Sequence, residues 1–274
     1  MPFHFEITPF TFSSVLNGYL PEPQSSLLNG ILFGLPLKKS LALYADLKAV
    51  GLIHLVVLSG MNITLLSAIL SRLTIQFGRY MSLVINILVI ILFILFVSPQ
   101  APIIRAGIMS ILTSVALIYG RKAYPLWALF LAGFVTFLIW PKWLFSLSFQ
   151  LSYLSTLGLI LFSKKAPPPS KENTKQRIYT YIKDEFRTSL SAQVLTVPLI
   201  FFYFRQVSLI SPVSNILVSF LIAPLMILGF LAALLGKVHF ILGIIPATIA
   251  YGLLTYMMWV IELLSRIPYA SIKF

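Results

Sequence analysis

The chain has 274 residues, of which 59% are hydrophobic and 10% charged; Lys plus Arg number 20 and Asp plus Glu 7, a formal net charge of +13. A soluble domain carries about 45–50% apolar and about 25% charged residues. This composition therefore excludes a soluble enzyme and a disordered chain, and the lack of cysteine excludes a disulfide scaffold or a thiolate metal site. What remains is an all-α, polytopic membrane protein with about seven or eight transmembrane or re-entrant helices.

Residues 1–50 read as a lead-in. The opening MPFHFEITPFTF lacks the basic start and apolar run of a signal peptide. The next stretch is broken by Pro21, Pro23, Gly30, Gly34 and Pro36. It leaves room for a short helix around Ser26 to Phe33, expected at the membrane interface. Eight segments then have the length and apolarity to enter a bilayer: 51–71, 80–97, 102–120, 125–140, 146–162, 188–204, 212–235 and 239–264. The first is expected to be broken or re-entrant, because His54, Ser59, Gly60, Asn62 and Thr64 interrupt it. Trp127, Trp140, Trp143 and Trp259 sit at segment ends, where interface anchors belong.

Between the fifth and sixth segments, residues 163–187 read as a basic loop holding Lys164, Lys165, Lys171, Lys175, Arg177, Lys183 and Arg187. Three successive prolines forbid a helix at its start. From Arg177, the residues Ile178, Tyr181, Ile182 and Phe186 recur at helical spacing, which predicts a basic amphipathic helix on the membrane surface. If all eight segments cross, 12 of the 20 cations share one side. The positive-inside rule makes that side cytoplasmic and puts both termini outside. An excess of this size also suits a polyanionic partner, nucleic acid or anionic lipid.

Polar groups at membrane depth are costly and usually face protein or water. The candidates are His54, Ser59 and Asn62 in the first segment, Arg105 in the third, and Gln150 and Ser152 in the fifth. Gln193, Tyr203 and Arg205 belong to the sixth and Asn215 to the seventh, while Gly60, Pro198 and Pro224 are candidate kinks. Of the seven acids, Glu262 alone is expected inside a span. Cation-coupled carriers rely on buried carboxylates, so an acid-poor path lined by donors favours an anion. The expectation is one wet passage onto which these groups converge. Enzyme readings fail. His54 and Ser59 stand five apart, about 140° from eclipsed on a helix. No metal-ligand cluster and no Gly-x-x-x-x-Gly-Lys loop occurs, so no cofactor is expected.

Five strings in order carry a resemblance: GLIHLVVLSGMNITLL, SPQAPIIRAGIMS, FSLSFQLSYLSTLGL, SLSAQVLTVPLIFFYFRQVSL and SPVSNILVSFLIAPLMILG. PEPQSSLLNGILFGLP precedes them. Together they resemble the membrane domain of the ComEC-type competence family, from about Pro21 to Leu264, with residues 51–265 as its transmembrane domain. Asn62 stands where many members have His. Family members usually carry OB-like and metallo-β-lactamase-like domains as well, and neither is expected within these residues. The resemblance implies a DNA-binding channel in the bacterial cytoplasmic (inner) membrane, passing single-stranded DNA during natural transformation. It implies a DNA pathway through His54, Ser59, Asn62, Arg105, Gln150, Ser152, Gln193, Tyr203, Arg205 and Asn215. A pilus-side DNA receptor and a cytoplasmic helicase-type ATPase would be partners, beside membrane lipids; a homodimer is left open. The alternatives are a small-anion or lipid transporter, or a non-transporting scaffold recruiting soluble partners through 163–187.

Overall fold

The computed structural model describes residues 8–37, 41–56, 60–163, 174–268 and 271–273. Those residues form a helical bundle. The lead-in holds α1 (Pro9–Tyr19), α2 (Gln24–Phe33) and α3 (Leu41–Ala49), and the single turn α4 (Ile53–Val56) comes after it. Eight helices follow: α5 (Gly60–Thr74), α6 (Arg79–Val97), α7 (Ala101–Ile118), α8 (Pro125–Ile139), α9 (Leu147–Phe162), α10 (Thr174–Phe204), α11 (Ser211–Val238) and α12 (Phe240–Ser265). From α5 onward each helix packs against the next, and α11 and α12 share the most extensive contact. Pro102, Pro125 and Pro212 open α7, α8 and α11, where a missing N–H costs nothing.

Four helices, α6, α7, α11 and α12, are long and apolar enough to cross a membrane; α8 and α9 are shorter apolar helices. At about 1.5 Å rise per residue, the 15 residues of α5 reach about 23 Å, short of a hydrocarbon core of about 30 Å. The first predicted segment is accordingly split. The turn α4 precedes α5, whose described residues start at Gly60; 57–59, with Ser59, lie outside the described residues. Pro198 and Pro224 lie inside the continuous helices α10 and α11.

Two expectations need correcting. The helix expected at the interface is α2, and its residues from Leu27 to Phe33 are all buried. A segment without charge is as suited to a core as to an interface, and here α11 and α12 receive it. Within 163–187 the helix expected from Arg177 is present, and what needs correcting is its separation from the sixth segment. From Thr174 the stretch is the first half of α10, a continuous helix of 31 residues. Residues 164–173 lie outside the described residues.

Two apolar cores hold the bundle. The larger joins α1 to α4 with α11 and α12, with Leu16, Leu28, Ile31, Leu47 and Leu225 fully buried. The smaller joins α5, α6 and α7 through Ile63, Ile90, Phe93 and Ile103. Five phenylalanines connect them. Phe96 packs edge-on against Phe12 and Phe33, and Phe230 edge-on against Phe33 and Phe93, with centroids 5.7–6.1 Å apart. Outside this, α6, α8 and α12 present apolar side chains outward, Phe130 at 65% and Ile245 at 72% exposure among them. Such a surface belongs in lipid. Beyond α10 the chain forms a two-stranded antiparallel ribbon, β1 (Gln206–Ser208) with β2 (Ser271–Lys273).

The α3–α4 turn is seated on the start of α11. Ser214 Oγ donates to the Val50 carbonyl at 2.7 Å. Gly51 has a positive φ of 76°, and a Cβ there would come within 2.6 Å of Ser211 Cβ. Gly51→Ala should therefore cost at least the 1–3 kcal/mol typical of a strained backbone, read as a lower unfolding temperature in detergent. Gly252→Ala, where a Cβ meets nothing within 4 Å, should leave that temperature unchanged.

Candidate functional site

Arg105 stands one turn into α7 and is 9% exposed. It does not reach for the headgroups. Its Nε donates to Ser152 Oγ of α9 at 2.9 Å, and its Nη1 to Thr156 Oγ1 and to Met109 Sδ. Ser152 and Thr156 are four apart, so α9 presents them one above the other on one face. Thr156 gives its own proton to the Ser152 carbonyl at 2.9 Å, which turns its lone pairs toward the guanidinium. On a further side lies Gly60, where a Cβ would come 2.5 Å from Nη2 and 3.1 Å from Ala106 Cβ. The glycine after Ser59 thus leaves room for the guanidinium. No carboxylate among the described residues pairs with Arg105; the ion pair found there is Arg266 with Glu262 on α12. A desolvated guanidinium met only by hydroxyls and a thioether remains an uncompensated positive charge.

A second polar set joins α10 to α11. Ser219 Oγ donates to Glu185 Oε1 at 2.7 Å. Asn215 Nδ2 donates to Ser189 Oγ at 2.9 Å. Gln193 Nε2 donates to Ser189 Oγ at 3.0 Å and to Ser211 Oγ at 3.1 Å. Residues 185, 189 and 193 run along α10 at helical spacing and meet 219, 215 and 211 in antiparallel order. This is a polar seam of three rungs. Glu185, on the surface helix expected from Arg177, thus joins α10 to α11.

The other predicted residues are placed elsewhere. Asn62 is 1% exposed and donates Nδ2 to the Ile31 carbonyl of α2 at 2.8 Å. His54 is exposed on α4, its Nδ1 3.0 Å from the Gly51 carbonyl oxygen. Gln150 Nε2 donates to the Leu144 carbonyl at the long distance of 3.4 Å. Tyr203 is 48% exposed, edge-on to Phe202, and Arg205 is exposed with φ 48°, turning the chain into β1. Neighbouring Phe204 lies 5.3 Å under Lys48 Nζ. The structure thus brings Arg105 to Ser152, and Gln193 to Asn215, but does not gather the whole set around one lumen. The helix α9 stands between the two groups. Gly158 is two residues past Thr156, about 200° around the helix, and a Cβ on it would run into the Ser191 carbonyl oxygen of α10. The two best-formed grooves, of about 370 and 470 Å³, are lined by other residues.

The sequence reading missed several partners: Thr156, Ser189, Ser211, Ser219 and Glu185. A search for polar residues repeating at four-residue spacing would have found both lines of the seam. It also missed Asn86 on α6, 2% exposed, whose Nδ2 donates to Ser67 Oγ and Ser71 Oγ of α5 at 2.9 Å each. Among the described residues no His, Cys, Asp or Glu group suits a metal ion.

Comparisons with known proteins place these contacts in a family context. The family model described as "Competence protein" matches residues 31–274. The chain is 25% identical over 237 residues to the ComE operon protein 3 of Bacillus subtilis (strain 168), covering 83% of this chain and 29% of that protein. It is 32% identical over 115 residues to an uncharacterized protein of Aquifex aeolicus (strain VF5), covering 42% of this chain and 27% of that protein. The chain therefore spans under a third of each of these relatives. No solved structure matches it.

The seam makes a testable claim about register. Ser189→Ala and Asn215→Ala together should destabilise less than the sum of the single changes, with a coupling of about 0.5–2 kcal/mol by thermal unfolding in detergent. Ser189→Ala paired with Asn86→Ala, on separate helix contacts, should be additive.

Proposed function

We propose that this chain, which belongs to the competence protein family, is the multi-pass part of a DNA-uptake system in the bacterial cytoplasmic membrane and provides the path for a single DNA strand. The observation that carries this reading is the buried Arg105 with only neutral partners among the described residues. Three of the five sequence strings contribute to its surroundings: Gly60 from the first, Arg105 from the second, Ser152 and Thr156 from the third. The other two strings supply every member of the seam except Glu185.

The energetics separate the two sets. Neutral interhelical hydrogen bonds in membranes average about 0.6 kcal/mol each, so the α10–α11 contacts can be exchanged for others at small cost. A guanidinium hydrogen-bonded to neutral hydroxyls gains when it takes a phosphate instead, since the phosphate brings an opposite charge and can accept two parallel N–H···O bonds. Passage of a strand is then an exchange. Phosphates take the guanidinium, and the released hydroxyls and amides serve as neutral donors that bind without holding. The exposed aromatic residues Tyr203 and Phe204, close to Arg205 and Lys48, suit stacking of bases at an entrance.

Purified protein should bind a labelled oligonucleotide with an affinity that falls steeply as salt rises. Arg105→Gln should weaken that binding and abolish entry of DNA into the cytoplasm of a competent host, while DNA still collects at the cell surface. Arg105→Lys should restore entry in part, because a point charge replaces a fork of donors. Uptake that survives Arg105→Gln, or anion flux in proteoliposomes indifferent to excess oligonucleotide, would overturn the proposal.

A further inference from the structure

A groove of about 470 Å³ runs between α8 and α9, its α9 wall including Tyr153 and Leu157, the sequence neighbours of Ser152 and Thr156. Leu129, Phe130 and Phe137 of α8 line it, with Leu144 of the connecting turn and Phe149 and Leu157 of α9. The two helices are antiparallel neighbours in sequence. Leu126 and Leu157 therefore mark one end of the groove, and Phe137, Leu144 and Phe149 the other. From Leu126 to Phe137 it extends roughly 17 Å along the helix. Midway, Gly133 leaves the Tyr153 ring close to the α8 backbone, with Cε1 3.3 Å from where a Cβ would stand. The cleft is long, narrow and apolar along its length.

The turn that closes one end has a different chemistry. Lys142 lies two residues before Leu144 and is exposed. Trp140 and Trp143 flank it, their rings stacked at 4.7 Å and 9°. No acidic residue occurs anywhere between Asp46 and Glu172, so no acid near it in sequence neutralises this lysine. A cation between two tryptophans, at the mouth of a dry apolar cleft between membrane helices, matches the layering of a phospholipid. Tryptophan rings settle at headgroup level, and a lysine there attracts an anionic lipid. The geometry points to a binding site for an anionic phospholipid, one acyl chain in the α8–α9 groove and its phosphate on Lys142. A neutral lipid would fill the cleft equally but leave the lysine unpaired, and a second copy of this chain would bring the same Lys142 charge to the contact. The lipid assignment does not depend on the DNA-pathway reading.

The reporters are already in place. With Trp127→Phe and Trp259→Phe, the tryptophans left are Trp140 and Trp143. This form would be reconstituted in phosphatidylcholine vesicles containing either phosphatidylglycerol or phosphatidylcholine brominated in the upper part of the tail. The brominated phosphatidylglycerol should quench at about fivefold lower mole fraction, the preference expected of one lysine near a surface. Lys142→Gln, an exposed change that should leave folding intact, should bring the two lipids to parity, and high salt should do the same. Equal quenching by both lipids in the parent form, or a preference that survives Lys142→Gln, would overturn the assignment. So would a dimer crosslinked through α8 that abolishes quenching.

Discussion

The guanidinium of Arg105 sets the conditions for the helices around it. A charge taken out of water and left without a counter-ion must be given every available lone pair, or its cost rises to several kcal/mol. The neighbouring residues follow from that requirement. Ser152 and Thr156 are spaced so that one helix face offers two oxygens, and Gly60 is small because Nη2 occupies the place of its side chain. The α5–α7–α9 contact is thus organised around one cation, with two hydroxyls of α9 as its partners.

The seam between α10 and α11 obeys a weaker rule. Its members are uncharged apart from Glu185, and each donor finds one acceptor across the interface. In lipid, leaving any of them unpaired would be costly, so they specify register. A sliding step of one helical turn would put Ser189 opposite Ser211 or Ser219 rather than Asn215. The same bonds contribute little to net stability. Stability comes from the apolar core of α1, α2, α11 and α12 and from the phenylalanines that tie it to α6.

Composition made the class of fold legible, because 59% apolar residues with 10% charge leave few alternatives. Segment limits were legible wherever a proline or a cation marks an end, as at Pro102, Pro125 and Lys237. The direction of a side chain was not. Gln193 and Asn215 were identified by their polarity, but polarity does not say whether an amide faces water or another helix; only the partner decides, and Ser189 and Ser211 looked like ordinary small residues. The burial of α2 was hidden for a related reason, since an uncharged decamer fits an interface and a core equally. The continuity of α10 was hidden by a change of solvent along it. Its first half is amphipathic and its second half apolar, yet Glu185, Ser189 and Gln193 keep one helical phase across the change.

The arrangement of the polar sets identifies which part of the bundle could open. The helices α9 and α10 are held to each other by close backbone approach, where Gly158 meets the Ser191 carbonyl. Such contacts are the tight ones between membrane helices. The pair is bounded on both sides by polar contacts instead, Arg105 of α7 on one and the seam with α11 on the other. Among the described residues of α9, Gly158 is the buried one, whereas α11 has buried residues along its whole length. The α9–α10 pair also packs on α8, where Tyr153 meets Gly133, and its boundaries with α7 and α11 hold the groups best able to exchange partners. A displacement of that pair alone would turn both polar sets toward the gap it leaves. Two separate helix contacts would then become the two walls of one polar space, without breaking the apolar core on α11 and α12.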